Sequence, residues 1–113
     1  MADIQSASGC ATAQRLIMLA HLYEEGLASD LMDRTLEKLL AHEAEVCRAQ
    51  LHQLQYDLVE FEQQYNLSST TFYQRFQAGQ TDDRMDYVEW ASLVQMRDNL
   101  KKRLRLLTDE AQV

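Results

Sequence analysis

The chain has 113 residues, 46% of them hydrophobic and 26% charged, with no proline and three glycines. That allows one domain with a modest core and favours helices over turn-rich β architecture. Eleven Lys and Arg against eighteen Asp and Glu give a net charge of −7, which argues against a bulk nucleic-acid binder and favours a basic protein partner.

Residues 1–9 are small and polar, with neither a basic leader nor an apolar run near the ~18 residues of a membrane span, so a cytoplasmic protein without a membrane partner is expected. Residues 1–10 read as a flexible N-terminus. Residues 11–26 follow as a short amphipathic first helix, with Ala13, Leu16, Ile17, Ala20 and Tyr23 on one face. Gly26 suits the left-handed turn that ends such a helix. Residues 29–65 form the long second helix, capped by Ser29 or Asp30, with Asp30 and Asp33 placing negative charge at its positive end. Asn66 tolerates left-handed geometry and is the expected stop. Ser68 then caps a short third helix over residues 68–78, where Leu67 and Phe72 have the spacing of a hydrophobic staple. Asp82 or Asp83 would cap the fourth helix, residues 83–108, which carries Trp90, Leu93, Met96, Leu100, Leu104 and Leu107 at spacings of three and four.

Within the long helix, Leu40, Ala44, Cys47, Leu51, Leu54, Leu58, Phe61 and Tyr65 alternate at spacings of four and three. That is a heptad seam, built to lie along another helix. A helix over residues 29–65 would be roughly 54 Å long at about 1.5 Å per residue, too long for a compact domain of this size unless it pairs or protrudes. The expected fold is all-α: a single helical domain, 1–113, in which the second and fourth helices form a coiled-coil-like antiparallel hairpin. A short helix at the bend contributes Phe72 and Phe76 to a core shared with Trp90. The seam can be filled by the fourth helix or by a second copy of the second, and a homodimer through the long helix is the expectation. Opposite it, Leu39, Val46, Ala49, Tyr56 and Val59 form a second, weaker apolar stripe, with His42 and His52 interspersed. The first helix, a symmetry mate or a different protein could cover this stripe, and Val46, Tyr56 and Val59 are the candidate partner-binding residues.

No constellation for catalysis is evident. A di-metal bundle needs inward Glu-x-x-His pairs, whereas Met18, Leu39 and Ala49 stand three residues before the three histidines. Cys10 and Cys47 are far apart and lack a CxxC partner, which points to plain thiols. No enzyme, metal or cofactor is expected. Residues 72–93 could be read as a helix-turn-helix, but Asp82, Asp83, Asp86 and Glu89 would face the phosphates. The cluster Lys101, Lys102, Arg103 and Arg105 is read as complementing the helix dipole and pairing with acids on the neighbouring helix.

The pattern Phe61-Glu62 to Tyr65, Leu67-Ser68-Ser69, Phe72, Phe76, Gly79, Asp83, Asp86 and Glu89-Trp90 resembles a group of small all-helical prokaryotic proteins common in cyanobacteria and archaea. Several of these are encoded beside a small toxin-like protein and are read as antitoxins. The resemblance covers roughly residues 29–107. It departs at Asn66, where the group usually has Gly, and at Gln80, where it often has Glu. The resemblance implies a non-catalytic interaction protein that binds and neutralises a small, basic, ribonuclease-like toxin. The alternative is a structural coiled-coil dimer or adaptor with no toxin.

Overall fold

The computed structural model describes the backbone of residues 2–108 and the side chains of residues 9–108. It holds four helices in order: α1 (Ala2–Glu24), α2 (Asp30–Tyr65), α3 (Ser69–Gln77) and α4 (Met85–Thr108). No strand occurs among the described residues. The expected all-α hairpin is present. Where the sequence reads as one domain, contacts divide the chain into two compact units with the boundary between Lys38 and Leu39, inside α2.

In the first unit α1 begins nine residues before its expected start at Ala11. Nothing between Ala2 and Cys10 forbids helix, since a glycine in a helix interior costs only about 1 kcal/mol relative to alanine. Its end is as expected. Gly26 takes a φ of 70°, the Leu27 amide donates to the Leu22 carbonyl at 2.8 Å, and the Gly26 amide donates to Tyr23 at 3.1 Å. This Schellman pair satisfies carbonyls that the helix end would otherwise leave free. The start of α2 is capped by Ser29 rather than Asp30, because the Met32 amide donates to the Ser29 hydroxyl at 3.1 Å. Asp30 instead pairs with Arg34 one turn on. On the apolar face of α1, Leu16, Ile17 and Tyr23 are all exposed.

In the second unit, α2 from Leu39 onward and α4 run antiparallel. The ladder of contacts fixes the direction: Glu43 meets Arg103, Cys47 meets Leu100, Leu58 packs with Trp90, and Tyr65 meets Asp86. Asn66 at φ 51° ends α2, and the Leu67 amide closes the turn on the Glu62 carbonyl at 3.2 Å. Ser68 caps α3 by accepting from the Thr71 amide at 3.1 Å. The Glu62 carboxylate adds a second acceptor there, for the Ser69 amide at 2.8 Å, with its charge at the positive end of the α3 dipole. Gly79, at φ 72°, ends α3, and α3 packs on α4.

Two expectations for α4 are corrected. It starts at Met85, and Asp82 does not cap it; the Asp82 carboxylate instead accepts from the Arg84 amide and holds its guanidinium. Its buried face is Trp90, Ala91 and Val94, while Met96 is 52% exposed. The pattern of large apolar residues was misleading because Ala91, a small residue that the helix–helix contact needs, carries little apolar weight. The seam of α2 is occupied by α4: Ala44, Cys47, Leu54 and Leu58 are buried, and Leu51, Phe61 and Tyr65 half-buried. Leu40 is the exception at 48% exposed, because it lies one turn beyond the last strong contact with α4.

This register makes a sharp distinction between two leucine-sized side chains. Leu58→Ala is expected to destabilise the protein by about 2–5 kcal/mol, whereas Met96→Ala should stay within about 0.5 kcal/mol of the parent. Urea unfolding followed by circular dichroism measures both.

Candidate functional site

The most constrained chemistry lies at the bend. Trp90, fully buried, stacks face to face on Phe72 with ring centroids 3.9 Å apart and planes within 2°. Phe61 and Tyr65 close its other side at 5.6 and 5.7 Å. The indole N–H, which burial would leave without water, donates to the Ser69 hydroxyl at 2.9 Å, and Ser69 is itself buried. Phe76, half-buried, packs on Phe72 at 5.7 Å. The three bend residues picked from sequence thus meet in one cluster. Ser69 was missed, because a serine next to a capping serine looks like any helix start until the fold brings Trp90 above it.

Beside this cluster runs a polar latch. The Tyr65 hydroxyl donates to the Asp86 carboxylate at 2.5 Å, and the Gln64 amide nitrogen donates to the same oxygen at 3.4 Å. Asp82 receives Arg84 through two guanidinium nitrogens, each at 3.1 Å, and the Arg84 guanidinium lies 4.7 Å from the centroid of the Tyr87 ring. The hydrogen bond to Asp86 is the main reason the Tyr65 phenol is raised above its ordinary pKa. The hydrogen bond from Arg84 is the main reason Asp82 is lowered below the usual carboxylate range. Sequence reasoning had no means of finding these pairs beyond a helix start rich in aspartate.

Of the chemistry-bearing groups elsewhere, both cysteines are free thiols. Cys47 is fully buried, and its thiol donates to the Leu100 carbonyl at 3.1 Å. Cys10 is exposed. Arg103 reaches Glu43 across the hairpin at 2.7 Å, as expected for the basic cluster. Among the described residues no group of three or more His, Cys, Asp or Glu side chains is placed to hold a metal ion, and no helix is long and apolar enough to cross a membrane.

The second apolar stripe of α2 lies open. Leu39, Val46, Ala49, Tyr56 and Val59 are exposed, Tyr56 by 64%. His52, Gln55, Tyr56 and Val59 surround a depression of about 300 Å³. His42 and His52 are exposed on the side away from the seam. An exposed tyrosine flanked by β-branched residues on a rigid helix is the kind of anchor that protein interfaces favour. No family model matches the chain, and comparison with curated proteins and with solved structures finds no similar protein.

The latch carries a pH dependence whose direction follows from the two shifts. Tyr65 is raised, so its contribution to stability is complete at neutral pH and is lost as pH rises past about 10 and the phenol ionises. Asp82 is lowered, so its contribution is present above about pH 4 and is lost as pH falls. In an ultraviolet titration of the tyrosines, Asp86→Ala is expected to bring the titration of Tyr65 down towards the ordinary value. An unchanged titration would break the assignment.

Proposed function

We propose that this protein is a non-catalytic protein–protein interaction module, and that it serves as the antitoxin partner of a small basic toxin. The observation that supports this reading is the unequal use of the two sides of α2. One side is filled by α4, with Leu54 and Leu58 buried, while the other leaves Val46, Tyr56 and Val59 in solvent. A helix rigidified along one face and apolar along the other presents a pre-organised docking surface, whose ordering cost has already been met by folding. The net charge of −7 favours a basic partner and speeds its encounter with this protein. A basic RNA-binding surface on such a toxin would be masked by the acidic helix, which is how neutralisation would follow from binding alone. The resemblance of the bend motif to antitoxin-like proteins points the same way.

Self-association is the competing use of the same stripe, and it belongs to the adaptor reading. With α4 in the seam, a homodimer through Val46, Tyr56 and Val59 would compete with a partner protein for one surface.

The test is co-expression with the product of a small basic reading frame abutting this gene. A stable complex and rescue of growth are expected. Tyr56→Asp and Val59→Asp should abolish both while changing stability by no more than about 0.5 kcal/mol, since both sites are exposed. An isolated gene, or no complex and no rescue, would remove the antitoxin reading. A two-chain mass that Tyr56→Asp converts to one would establish the adaptor instead.

A further inference from the structure

Beside the seam, α2 and α4 leave a trough along one flank of the hairpin. Towards the open end of the hairpin it is apolar, a groove of about 500 Å³ bordered by Leu54, Leu93, Met96 and Leu100. Asp57 and Leu93 continue it into a second hollow of about 420 Å³ near the bend, where Glu60, Asp86 and Glu89 gather. The lining positions on α2 run from Gln50 to Gln64 at helical spacing, a span of roughly 20 Å at about 1.5 Å per residue. The trough is therefore about four helical turns long, apolar at one end and anionic at the other.

Asp57 accepts only from the Gln53 amide nitrogen, and Asp86 from Tyr65 and Gln64. Among the described residues none of Asp57, Glu60, Asp86 and Glu89 takes part in an ion pair, although five other carboxylates do. Four acids at one end of an apolar groove, with no ion-pair partner among the described residues, define the chemistry of what would lie there. A polar chain would leave the exposed Met96 and the half-buried Leu93 and Leu100 wet. An acidic or neutral apolar helix would bring no compensating charge to the carboxylates.

We infer that this trough docks a basic amphipathic helix of about four turns from a partner protein, its apolar stripe on Leu54, Leu93, Met96 and Leu100 and its Lys/Arg-rich end against Glu60, Asp86 and Glu89. The inference rests on the reading of the protein as a partner-binding module, and adds a second contact surface and the secondary structure and polarity of the segment it receives. Met96 is the adaptable member of the lining. Its unbranched, polarisable side chain conforms to differing apolar partners, and it stands 52% exposed, outside the buried face of α4. Polarity also sets direction: with its basic end at the bend, the guest helix cannot reverse without placing its cations over leucines.

The probe is a pair of synthetic helical peptides with one shared leucine stripe, one bearing lysines at one end and the other glutamates at the same positions. Titration of the full-length protein, followed by anisotropy of the labelled peptide and by backbone amide shifts, is expected to show micromolar binding of the basic peptide. Binding of the acidic one should be at least about tenfold weaker. Shifts should centre on Leu54, Asp57, Leu93 and Met96, and the affinity should fall with salt. Met96→Lys and the pair Glu60→Lys and Glu89→Lys, all at exposed positions, should each weaken the basic peptide about tenfold without altering the unfolding midpoint. Equal binding of the two peptides, no binding, or shifts confined to Val46, Tyr56 and Val59 would overturn the trough. The last result would leave the wider reading of a partner-binding module standing, while failure of the co-expression test with the trough intact would remove only the antitoxin. A two-chain mass that Met96→Lys converts to one would assign the trough to a second copy and also overturn the inference.

Discussion

The convergence of the three helices of the second unit depends on the stacking of Trp90 on Phe72. A tryptophan buries on the order of 200 Å² of surface, and here it does so in a core to which α2, α3 and α4 all contribute. The stack alone would pin α3 to α4. Phe61 and Tyr65 on the opposite side of the indole extend the grip to α2, so a single side chain sets how three helices converge. The cost of burying the indole N–H is removed by Ser69, the first residue of α3. That places a second constraint on the chain, because Ser69 can reach the indole only if α3 begins where Ser68 and Glu62 make it begin. Cap, stack and hydrogen bond are thus one device.

From this anchor the hairpin zips towards its open end. Leu58, Leu54, Cys47 and Ala44 face α4 in turn, and contacts thin out until Leu40 is half in water. Ala44 and Cys47 are buried on α2 and Ala91 on α4, and the seam, which reads as an invitation to a second chain, is closed by the protein's own α4. A helix so occupied has a definite orientation in its unit. Its remaining apolar stripe and the acidic trough beside the seam are accordingly presented as fixed surfaces, the property a binding module needs and a fluctuating helix would lack.

Much of this was legible in the sequence because the signals were local or strictly periodic. The stop at Asn66, the cap at Ser68, the glycine turns and the heptad seam each depend on a few adjacent residues or on a repeat, and apart from Leu40 the structure has them where the spacing places them. The bend core of Phe72, Phe76 and Trp90 was legible for the same reason. What was not legible depends on distance in three dimensions. Ser69 and Trp90, Tyr65 and Asp86, and Cys47 and Leu100 are separated by 21, 21 and 53 residues, and no periodicity links a donor on one helix to an acceptor on another. The face of α4 was misjudged because apolar weight favours Met96 over Ala91, whereas packing selects for size. The start of α4 was misjudged because Asp82 is a good cap in isolation and a better partner for Arg84 in context.

The central claim is that the hairpin closes on itself around Trp90 within a single chain. The protein has one tryptophan, so fluorescence excited where the indole absorbs and tyrosine does not reports on that residue alone. The direct measurement is the emission maximum and acrylamide quenching of the native full-length protein over a wide range of protein concentration. Blue-shifted emission, strongly protected from acrylamide and independent of concentration, is the predicted result. Emission characteristic of a solvated indole, or protection that develops only as concentration rises, would contradict it by showing that the bend is open or that a second copy completes it.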